Sequence, residues 1–322
     1  MFRMEKPAEL VALEQAFATA NEGGNGYAFV SAPMAISALL DMLDGGNHLV
    51  ISEGAHPDTY RMIESIRRRS AGLKVGFADM ADLDALELAV TGETRLLWVE
   101  TVSGPRLSRA DLARVVEFAK ARDILVLADN SVLGHDVLKP LAEGCDMVFT
   151  SAPAPTPADA GRGGLIAFSE NSGFGEDRFA YLQRAYDAMP GPVEAEALLA
   201  ALSAAPGHLS ARAAAASRLA ASLKDQAGVA ELFYPGDGCP DLSVTFHGRP
   251  EEVDAALARL TRFRPGLVPG QPGAFWHYAH RDYEAVPEAI RRVLGIPDGL
   301  VRFGVPAEDP NVLIRDFQDA FD

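Results

Sequence analysis

The chain has 322 residues, of which 48% are hydrophobic, and its formal net charge at pH 7 is −16. This length suits one large or two ordinary domains with a sizeable core. The acidic charge argues against nucleic acid or an anionic membrane surface as a partner, and there is no apolar run of about 18 residues to span a membrane. The two cysteines lack a metal-binding spacing. They are expected to be reduced thiols, which favours a cytoplasmic location.

Strand-like apolar runs alternate with helical periods through the first two-thirds of the chain. In chain order, strands are predicted at 27–30, 48–51, 73–77, 95–99, 124–128 and 146–150, and helices at 34–43, 61–69, 82–89 and from 108 onward. The last of these helices is predicted to begin at a capping-box-like Ser108 and to place Leu112, Val115, Val116 and Ala119 on one face. Such alternation predicts an α/β fold with a parallel sheet covered on both faces.

The last third of the chain differs from the rest in composition and in the order of its predicted elements. Two Ala-rich helices at 193–203 and 207–226 are predicted to be separated at Pro206. A strand at 242–246, a helix near 251–260, a strand at 300–305 and a final helix from about 309 follow. This change predicts a large domain over residues 1–205 and a smaller C-terminal α/β domain over residues 206–322.

Four polar residues fall at or shortly after the ends of predicted strands, namely His56, Glu100, Asp129 and Ser151. In open α/β sheets, ligands bind in the crevice beyond the carboxyl ends of the strands. These residues are therefore candidates for lining a ligand site.

No metal site is predicted. His277, His280 and Asp282 lie close together in the sequence, but their spacing is not typical of metal ligands, and they are expected to belong to a polar loop.

Six short motifs resemble, in order, motifs of the cystathionine γ-synthase and cystathionine β-lyase family, the pyridoxal-phosphate (PLP) enzymes of Cys/Met metabolism. The segments Gly45–Val50, His56–Arg61, Glu100–Pro105, Asp129–Ser131, Ser151–Ala154 and Val301–Val305 resemble the family's G-D-h-V, Y-G-G-T-Y-R, E-T-P-S-N-P, D-N-T, S-A-T-K and R-L-S-V-G. The resemblance covers nearly the whole chain. It implies the fold of type I PLP-dependent transferases, which is similar to that of aspartate aminotransferase.

The lysine of S-A-T-K, which holds PLP as a Schiff base in the family, corresponds to Ala154 here. In the family this lysine also moves protons and expels products, and a methyl group does neither. General acid–base groups contribute about 10²–10⁴-fold to rate. The lysine nearest in sequence, Lys139, is expected to lie on the surface. Several other motif positions also differ from the family, which indicates a naturally degenerate site.

Three positions match groups that contact PLP in the family. Asp129 matches the acid beside the pyridine nitrogen, although an Asp-Asn-Ser sequence also favours a turn. Ser151 matches a phosphate-binding hydroxyl. His56 takes the place of a tyrosine that stacks on the ring, and a solvated loop histidine is the alternative.

The family's phosphate-binding S-G-M-A corresponds to Ser31–Met34. Pro33 has no N–H to donate, and Ala32 carries a Cβ where glycine allows close approach. An ordinary helix start explains the same residues.

Two further positions are candidates for contact with substrate. Arg302 matches the family's carboxylate-binding arginine, and an ion pair with a local acid explains it equally well. His135 is the candidate base if proton transfer persists, and an ordinary loop residue is the alternative.

The sequence therefore predicts a degenerate homologue without Schiff-base catalysis, either a pseudoenzyme or a subunit that binds a ligand or partner. The alternative is an enzyme of sulfur amino-acid metabolism that holds PLP non-covalently. The family's N-terminal arm, whose Tyr and Arg reach the phosphate of a neighbouring subunit, is expected to be missing. The resemblance implies a homodimer, or a hetero-oligomer with an active relative, and a small amino acid or anion as ligand.

Overall fold

The structure is a computed structural model that describes residues 6–151, 163–170, 176–236, 238–266, 270–282, 284, 287–288, 291 and 295–321. The chain divides into two compact units. The first extends to Ser103 and resumes over Arg109–Ala205, and the second contains Gly104–Ser108 and the chain from Pro206 onward. Within the described residues, no helix is long and apolar enough to cross a bilayer.

The first unit contains a seven-stranded sheet in the order β1-β9-β8-β7-β4-β2-β3. Its strands are β1 (Asn25–Phe29), β2 (His48–Ser52), β3 (Lys74–Ala78), β4 (Thr94–Glu100), β7 (Leu125–Asp129), β8 (Met147–Ser151) and β9 (Gly164–Phe168), and two short strands, β5 (Val102–Ser103) and β6 (Ser108–Arg109), follow β4. The strands from β8 to β3 are parallel, whereas β9 is antiparallel to both β8 and β1. The predicted mostly parallel sheet is confirmed.

Helices cover both faces of this sheet. They are α1 (Ala8–Ala20), α2 (Ala32–Leu40), α3 (Pro57–Tyr60), α4 (Arg68–Ser70), α5 (Leu83–Ala89), α6 (Leu112–Lys120), α7 (Gly134–Val137), α8 (Glu176–Ala185) and α9 (Pro192–Leu223). One face buries Trp98 and Phe149 beneath α2, and the other buries Val99 and Val126 beneath α6. Strand residues buried on both faces explain the nearly continuous apolar runs in the sequence.

Helix α6 begins later than predicted. Asp111, rather than Ser108, is its N-cap and accepts a hydrogen bond from the Arg114 N–H at 3.3 Å, while Ser108 lies in the extended strand β6. The predicted apolar face of the helix is buried, as expected. A second difference concerns residues 61–69, where a π-helical segment, Arg61–Arg67, lies between α3 and α4.

The predicted break at Pro206 is wrong, because α9 is one helix that continues through this proline. Proline removes one helical hydrogen bond. The flanking residues are mainly alanine and leucine, which have high helix propensity, and Ala205 before it and Ala213 after it are buried. Propensity and burial over the whole helix outweigh the single missing bond.

The second unit contains a five-stranded sheet in the order β10-β11-β14-β13-β12. The strands are β10 (Val229–Phe233), β11 (Asp241–Phe246), β12 (Arg264–Pro265), β13 (Ala274–His277) and β14 (Leu300–Gly304), and the helices are α10 (Pro250–Leu257), α11 (Tyr278–Arg281) and α12 (Pro310–Phe321).

The two faces of this second sheet differ in character. Alternate residues of β11, including Leu242 and Val244, point into an apolar core that also contains Phe303 and Phe317. By the same alternation, Asp241 and the residues two and four positions further along β11 lie on the opposite face. The opposite face of β11 therefore carries polar side chains, of which Asp241 and Ser243 are buried.

The predicted polar loop around His277 is wrong. His277 ends β13, and its ring contacts the Asp254 carboxylate at 3.0 Å and the backbone carbonyl of Asp298 at 2.5 Å. The histidine therefore ties β13 to α10 and to the turn before β14. The hydrophobic neighbours Phe275 and Trp276 favour a strand at this point.

Candidate functional site

The carboxyl ends of three neighbouring parallel strands bring most of the predicted site residues of the first unit together. Glu100 ends β4, Asp129 ends β7 and Ser151 ends β8, and Glu100 is the direct register partner of Asp129. His56 belongs to the loop after β2, the strand on the other side of β4. This edge of the sheet is where ligands of parallel α/β folds bind.

Asp129 is buried, with 7% of its surface exposed. Its Oδ1 accepts hydrogen bonds from the Ser131 N–H at 3.0 Å and from the Ser131 hydroxyl at 2.5 Å. Burial raises the pKa of the Asp129 carboxyl to about 6, and the two bonds from Ser131 oppose this rise. The other oxygen, Oδ2, accepts no hydrogen bond from the described residues. The Asp-Asn-Ser turn that the sequence analysis gave as an alternative is thus present, and it uses only Oδ1 of Asp129.

Ser131 connects the ends of two strands, a role that the sequence analysis missed. Its hydroxyl donates to Asp129 and accepts a hydrogen bond from the Ser151 N–H at 2.9 Å. The neighbouring Asn130 is buried, accepts from the Thr101 hydroxyl at 3.0 Å and donates to a backbone carbonyl. The D-N-S motif therefore positions the Asp129 carboxylate through short, local bonds.

Glu100 determines the position of His56. Its Oε1 accepts the His56 N–H at 2.5 Å, and its own N–H donates to the Ser52 hydroxyl at 3.0 Å. The His56 ring caps α3 by accepting the Asp58 N–H at 3.3 Å. His56 is accordingly the N-cap of α3, a role that the sequence analysis did not assign to it.

The start of α2 is built as an ordinary helix N-terminus. The Ser31 hydroxyl accepts the Met34 N–H at 3.4 Å, and Pro33 contributes no N–H. The helix lies close to β9, because a Cβ at Gly164 would be 2.5 Å from the Ala35 Cβ. Few backbone donors in the first turn of α2 are left for an anion.

His135 lies in the short helix α7. Its Nε2 is 3.6 Å from the Asp136 carboxylate. Burial lowers the pKa of His135, and the charge of Asp136 opposes this shift. Among the described residues, no hydrogen bond joins His135 to Asp129 or Ser151. Ala154 lies outside the described residues.

Arg302 belongs to the second unit and is buried in β14. Its Nε and Nη2 both donate to Oδ2 of Asp241, at 3.0 and 2.6 Å. Burial by itself lowers the pKa of Arg302, but the Asp241 charge and contacts from Asp241 and Tyr278 outweigh it and raise the pKa. The ion pair with a local acid, one of the two alternatives for Arg302, is therefore present. The sequence analysis did not single out Asp241.

Comparisons with known proteins agree with the motifs. The family model described as Cys/Met metabolism PLP-dependent enzyme matches residues 2–244. Cystathionine beta-lyase of Coxiella burnetii is 30% identical and aligns with 99% of this chain and 86% of its own length. Cystathionine gamma-lyase of Bacillus subtilis is 26% identical, with coverage of 97% and 86%.

Among solved structures, cystathionine gamma-lyase from Lactobacillus plantarum complexed with L-serine superposes with a TM-score of 0.88 and 25% identity. The match covers 100% of this chain and 91% of that one. The fold predicted from the resemblance, that of type I PLP-dependent transferases, is thereby confirmed.

Proposed function

Because this chain belongs to the Cys/Met metabolism PLP-dependent enzyme family, we propose that it is a degenerate member that does not carry out Schiff-base catalysis. In this proposal it is a pseudoenzyme that binds a ligand or a partner subunit. The observation that carries the proposal is the position of the lysines in the chain and in the fold. Position 154 is alanine, and the four lysines of the first unit lie away from Asp129.

Three of these lysines lie at the amino ends of the strands, opposite Asp129. Lys74 is the first residue of β3, and Lys120 ends α6 just before β7 begins. Lys139 forms an ion pair with Glu22 at 2.6 Å. Glu22 precedes β1, which runs in the same direction as β8 because both are antiparallel to β9. The Glu22 carboxylate therefore holds Lys139 at the edge of the sheet where the parallel strands begin.

The fourth lysine, Lys6, is paired with Glu14 at 2.6 Å beside the edge strand β1. Three strand spacings separate β1 from β7 in the sheet order, a distance of about 14 Å at the usual spacing. The remaining lysine, Lys224, belongs to the second unit. For any of the four lysines of the first unit to reach Asp129, that unit would therefore have to undergo a large displacement.

The described residues fit one end of PLP better than the other. Asp129 is a buried residue whose Oδ2 accepts no hydrogen bond from them, which leaves this oxygen available to a protonated ring nitrogen. Ser151, which matches a phosphate-binding hydroxyl, ends β8. When bound, PLP supplies an electron-accepting ring. The N-terminus of α2 offers the phosphate fewer donors than a glycine-containing turn, because Pro33 has no N–H and Ser31 already caps Met34. We infer weak, non-covalent binding through the ring end.

The alternative is an enzyme of sulfur amino-acid metabolism that uses non-covalently held PLP. Oδ2 of Asp129, which accepts no hydrogen bond within the described part of the chain, supports it, and His135 supports it as well. Because burial lowers the pKa of His135, its imidazole is neutral at pH 7 and able to accept a proton. In this alternative Asp129 orients the ring and His135 moves a proton on a small sulfur-containing amino acid.

The first experiment is reductive trapping. The protein is incubated with PLP, treated with borohydride and digested, and the peptides are searched by mass spectrometry for a phosphopyridoxyl-lysine. We expect no stoichiometric adduct in the wild type and an adduct at residue 154 in the Ala154→Lys control at saturating PLP. A stoichiometric adduct on any native lysine, including Lys224, would overturn the proposal.

A second experiment separates the pseudoenzyme from the alternative. Cystathionine and cysteine turnover are assayed with excess PLP in the wild type, Asp129→Ala and His135→Gln. The proposal predicts no turnover above the Asp129→Ala background. Turnover that Asp129→Ala abolishes and His135→Gln lowers would establish the alternative.

We also propose a homodimer in a cytoplasmic setting, with a small amino acid or anion as ligand, and a hetero-oligomer with an active relative as the alternative assembly. The support is membership of the family alone. Light scattering after size-exclusion chromatography measures the mass of the assembly. Twice the 34.3 kDa chain mass is expected for the homodimer.

A further inference from the structure

A buried cluster of three charges lies on the polar face of the second sheet. Asp241, the first residue of β11, is bracketed by two arginines. Its Oδ2 accepts both Arg302 bonds, and its Oδ1 accepts from Arg212 Nη2 at 3.2 Å. The side chain of Asp241 is 2% exposed, and each arginine side chain is 7% exposed. One internal carboxylate therefore accepts hydrogen bonds from two buried guanidinium groups, and Arg212 Nη2 also donates to the Gly270 carbonyl at 3.4 Å.

The surrounding backbone fixes this geometry. Arg212 Nε donates to the Val305 carbonyl at 2.7 Å, and the Asp241 carbonyl accepts a bond from the Cys239 thiol at 3.4 Å. Gly270, with φ of +76°, lies directly against the ion pair. A Cβ at this position would be 2.5 Å from Asp241 Oδ2 and 3.1 Å from Arg302 Nη2. The Gly270 backbone therefore packs directly against the Asp241 carboxylate on this side.

The charges of the cluster do not cancel. Among the described residues, two guanidinium groups face one carboxylate, so without Asp241 these two buried cations would lack an anionic partner there. Buried ions are retained only when they are paired and hydrogen-bonded. The Ser243 hydroxyl is also buried, makes no hydrogen bond within the described residues and belongs to the register partner of Arg302 on β11. These groups form a site for a carboxylate, and the chain supplies that carboxylate itself.

We propose that Asp241 is a built-in carboxylate that occupies Arg302 and acts as a specificity-determining residue. It closes this position to ligands with a free carboxylate, such as amino acids, and favours ligands that are neutral or cationic there. A second carboxylate would find the guanidinium fork of Arg302 filled and would meet the like charge of Asp241. The consequence for ligand choice rests on the proposed function as a ligand-binding protein, whereas the carboxylate site itself does not.

The first test is chemical rescue of the carboxylate site. In Asp241→Ala, sodium formate is expected to raise the melting temperature by several degrees relative to sodium chloride at equal ionic strength, because formate fills the space between the two arginines. The wild type should show no such difference. A formate response equal to that of chloride in folded Asp241→Ala would overturn the proposal.

Asp316→Ala is the matched control. Asp316 is another buried aspartate of the second unit, and it accepts bonds from the Thr261 hydroxyl and the N–H groups of Thr261 and Arg262. No arginine side chain pairs with it in the described structure, so formate should give it no specific stabilisation. Equal rescue of both variants would also contradict the proposal.

The second test measures ligand choice with Asp241→Asn, which keeps the shape of the side chain. This variant also serves if Asp241→Ala does not fold. Calorimetry compares ethanolamine with L-serine, two small ligands that differ only in the carboxylate. We expect the wild type to bind ethanolamine at least tenfold more tightly, and Asp241→Asn to lose that preference.

The outcomes are distinguishable. Equal binding of the two compounds by the wild type, or an unchanged preference in Asp241→Asn, would overturn the role of Asp241 in specificity. If neither compound binds to either protein, the proposed function as a ligand-binding protein is wrong. The formate experiment then still decides whether Asp241 fills a carboxylate site.

Discussion

Ser131 donates both its hydroxyl and its backbone N–H to Oδ1 of Asp129, and the same hydroxyl accepts the N–H of Ser151. The bonds fix the carboxylate in position at the ends of β7 and β8. The bonds from Ser131 do not fully compensate for the burial of the carboxylate. The pKa of Asp129 therefore rises to about 6. The ionised form of Asp129 is therefore disfavoured in the folded protein.

Asp129→Asn should stabilise the protein near pH 7.5 and have little effect near pH 4. The folded-state pKa of Asp129 lies above its ordinary value of 3.8. The native state thus holds its proton more tightly, and stability falls as the pH rises between these two values. The penalty is complete above about pH 6 and amounts to on the order of 2–3 kcal/mol. Asparagine keeps the acceptor for Ser131 and removes the charge.

The measurement is the denaturant midpoint of both proteins at several pH values. Asp146→Asn is a useful comparison, because burial also raises the pKa of Asp146 and its carboxylate accepts the Val126 N–H. A stabilisation by Asp129→Asn that is as large at pH 4 as at pH 7.5 would contradict the explanation.

Ala154→Lys by itself should bind PLP weakly. We propose that the start of α2 binds the phosphate of PLP weakly. Adding Ala32→Gly and Pro33→Ala to this variant is therefore expected to strengthen PLP binding about tenfold or more. These changes restore an N–H in the first turn of α2 and remove a Cβ. The dissociation constant is measured by titration of the visible band of PLP. Identical constants for the single and triple variants would show that the start of α2 does not limit phosphate binding.

Gly164→Ala should destabilise the first unit by about 1–3 kcal/mol through overpacking. The new methyl would be 2.5 Å from the Ala35 Cβ and 3.0 Å from the Ala32 Cα, so either β9 or the start of α2 must move. Gly92→Ala is the control, because its methyl meets no atom within 4 Å. Thermal unfolding by circular dichroism should show a loss for Gly164→Ala only, and equal melting temperatures would refute the predicted clash.

Both cysteines should resist alkylation in the native protein at pH 8. Burial, chiefly, raises the pKa of Cys145 and of Cys239 to about 12, so that almost no thiolate is present. Iodoacetamide should label both thiols in urea and neither in buffer, as measured by intact mass. Rapid labelling of either cysteine in buffer would indicate an opening of the structure around it.

Much of the fold could be predicted because its pattern is local. The buried strands β2, β4 and β7 appear in the sequence as continuous apolar runs, and the apolar face of α6 follows the helical period. The break predicted at Pro206 fails because a breaker residue acts against the propensity and burial of the whole helix α9. Asp111 displaces Ser108 as the cap because the intervening chain is extended, which the spacing of residues does not reveal.

The sequence by itself determined the family, through six motifs in order, and it determined the absence of a lysine at position 154. It also located Asp129 at the end of a strand, because the order of strand, acid and turn is a property of neighbouring residues. Only the tertiary structure decided how that carboxylate divides its two oxygens, where the four lysines of the first unit lie, and which partner Arg302 has. Asp241 and Arg302 are 61 residues apart in the chain. Pairing β11 with β14 brings them together, and burial then makes their charges dependent on each other.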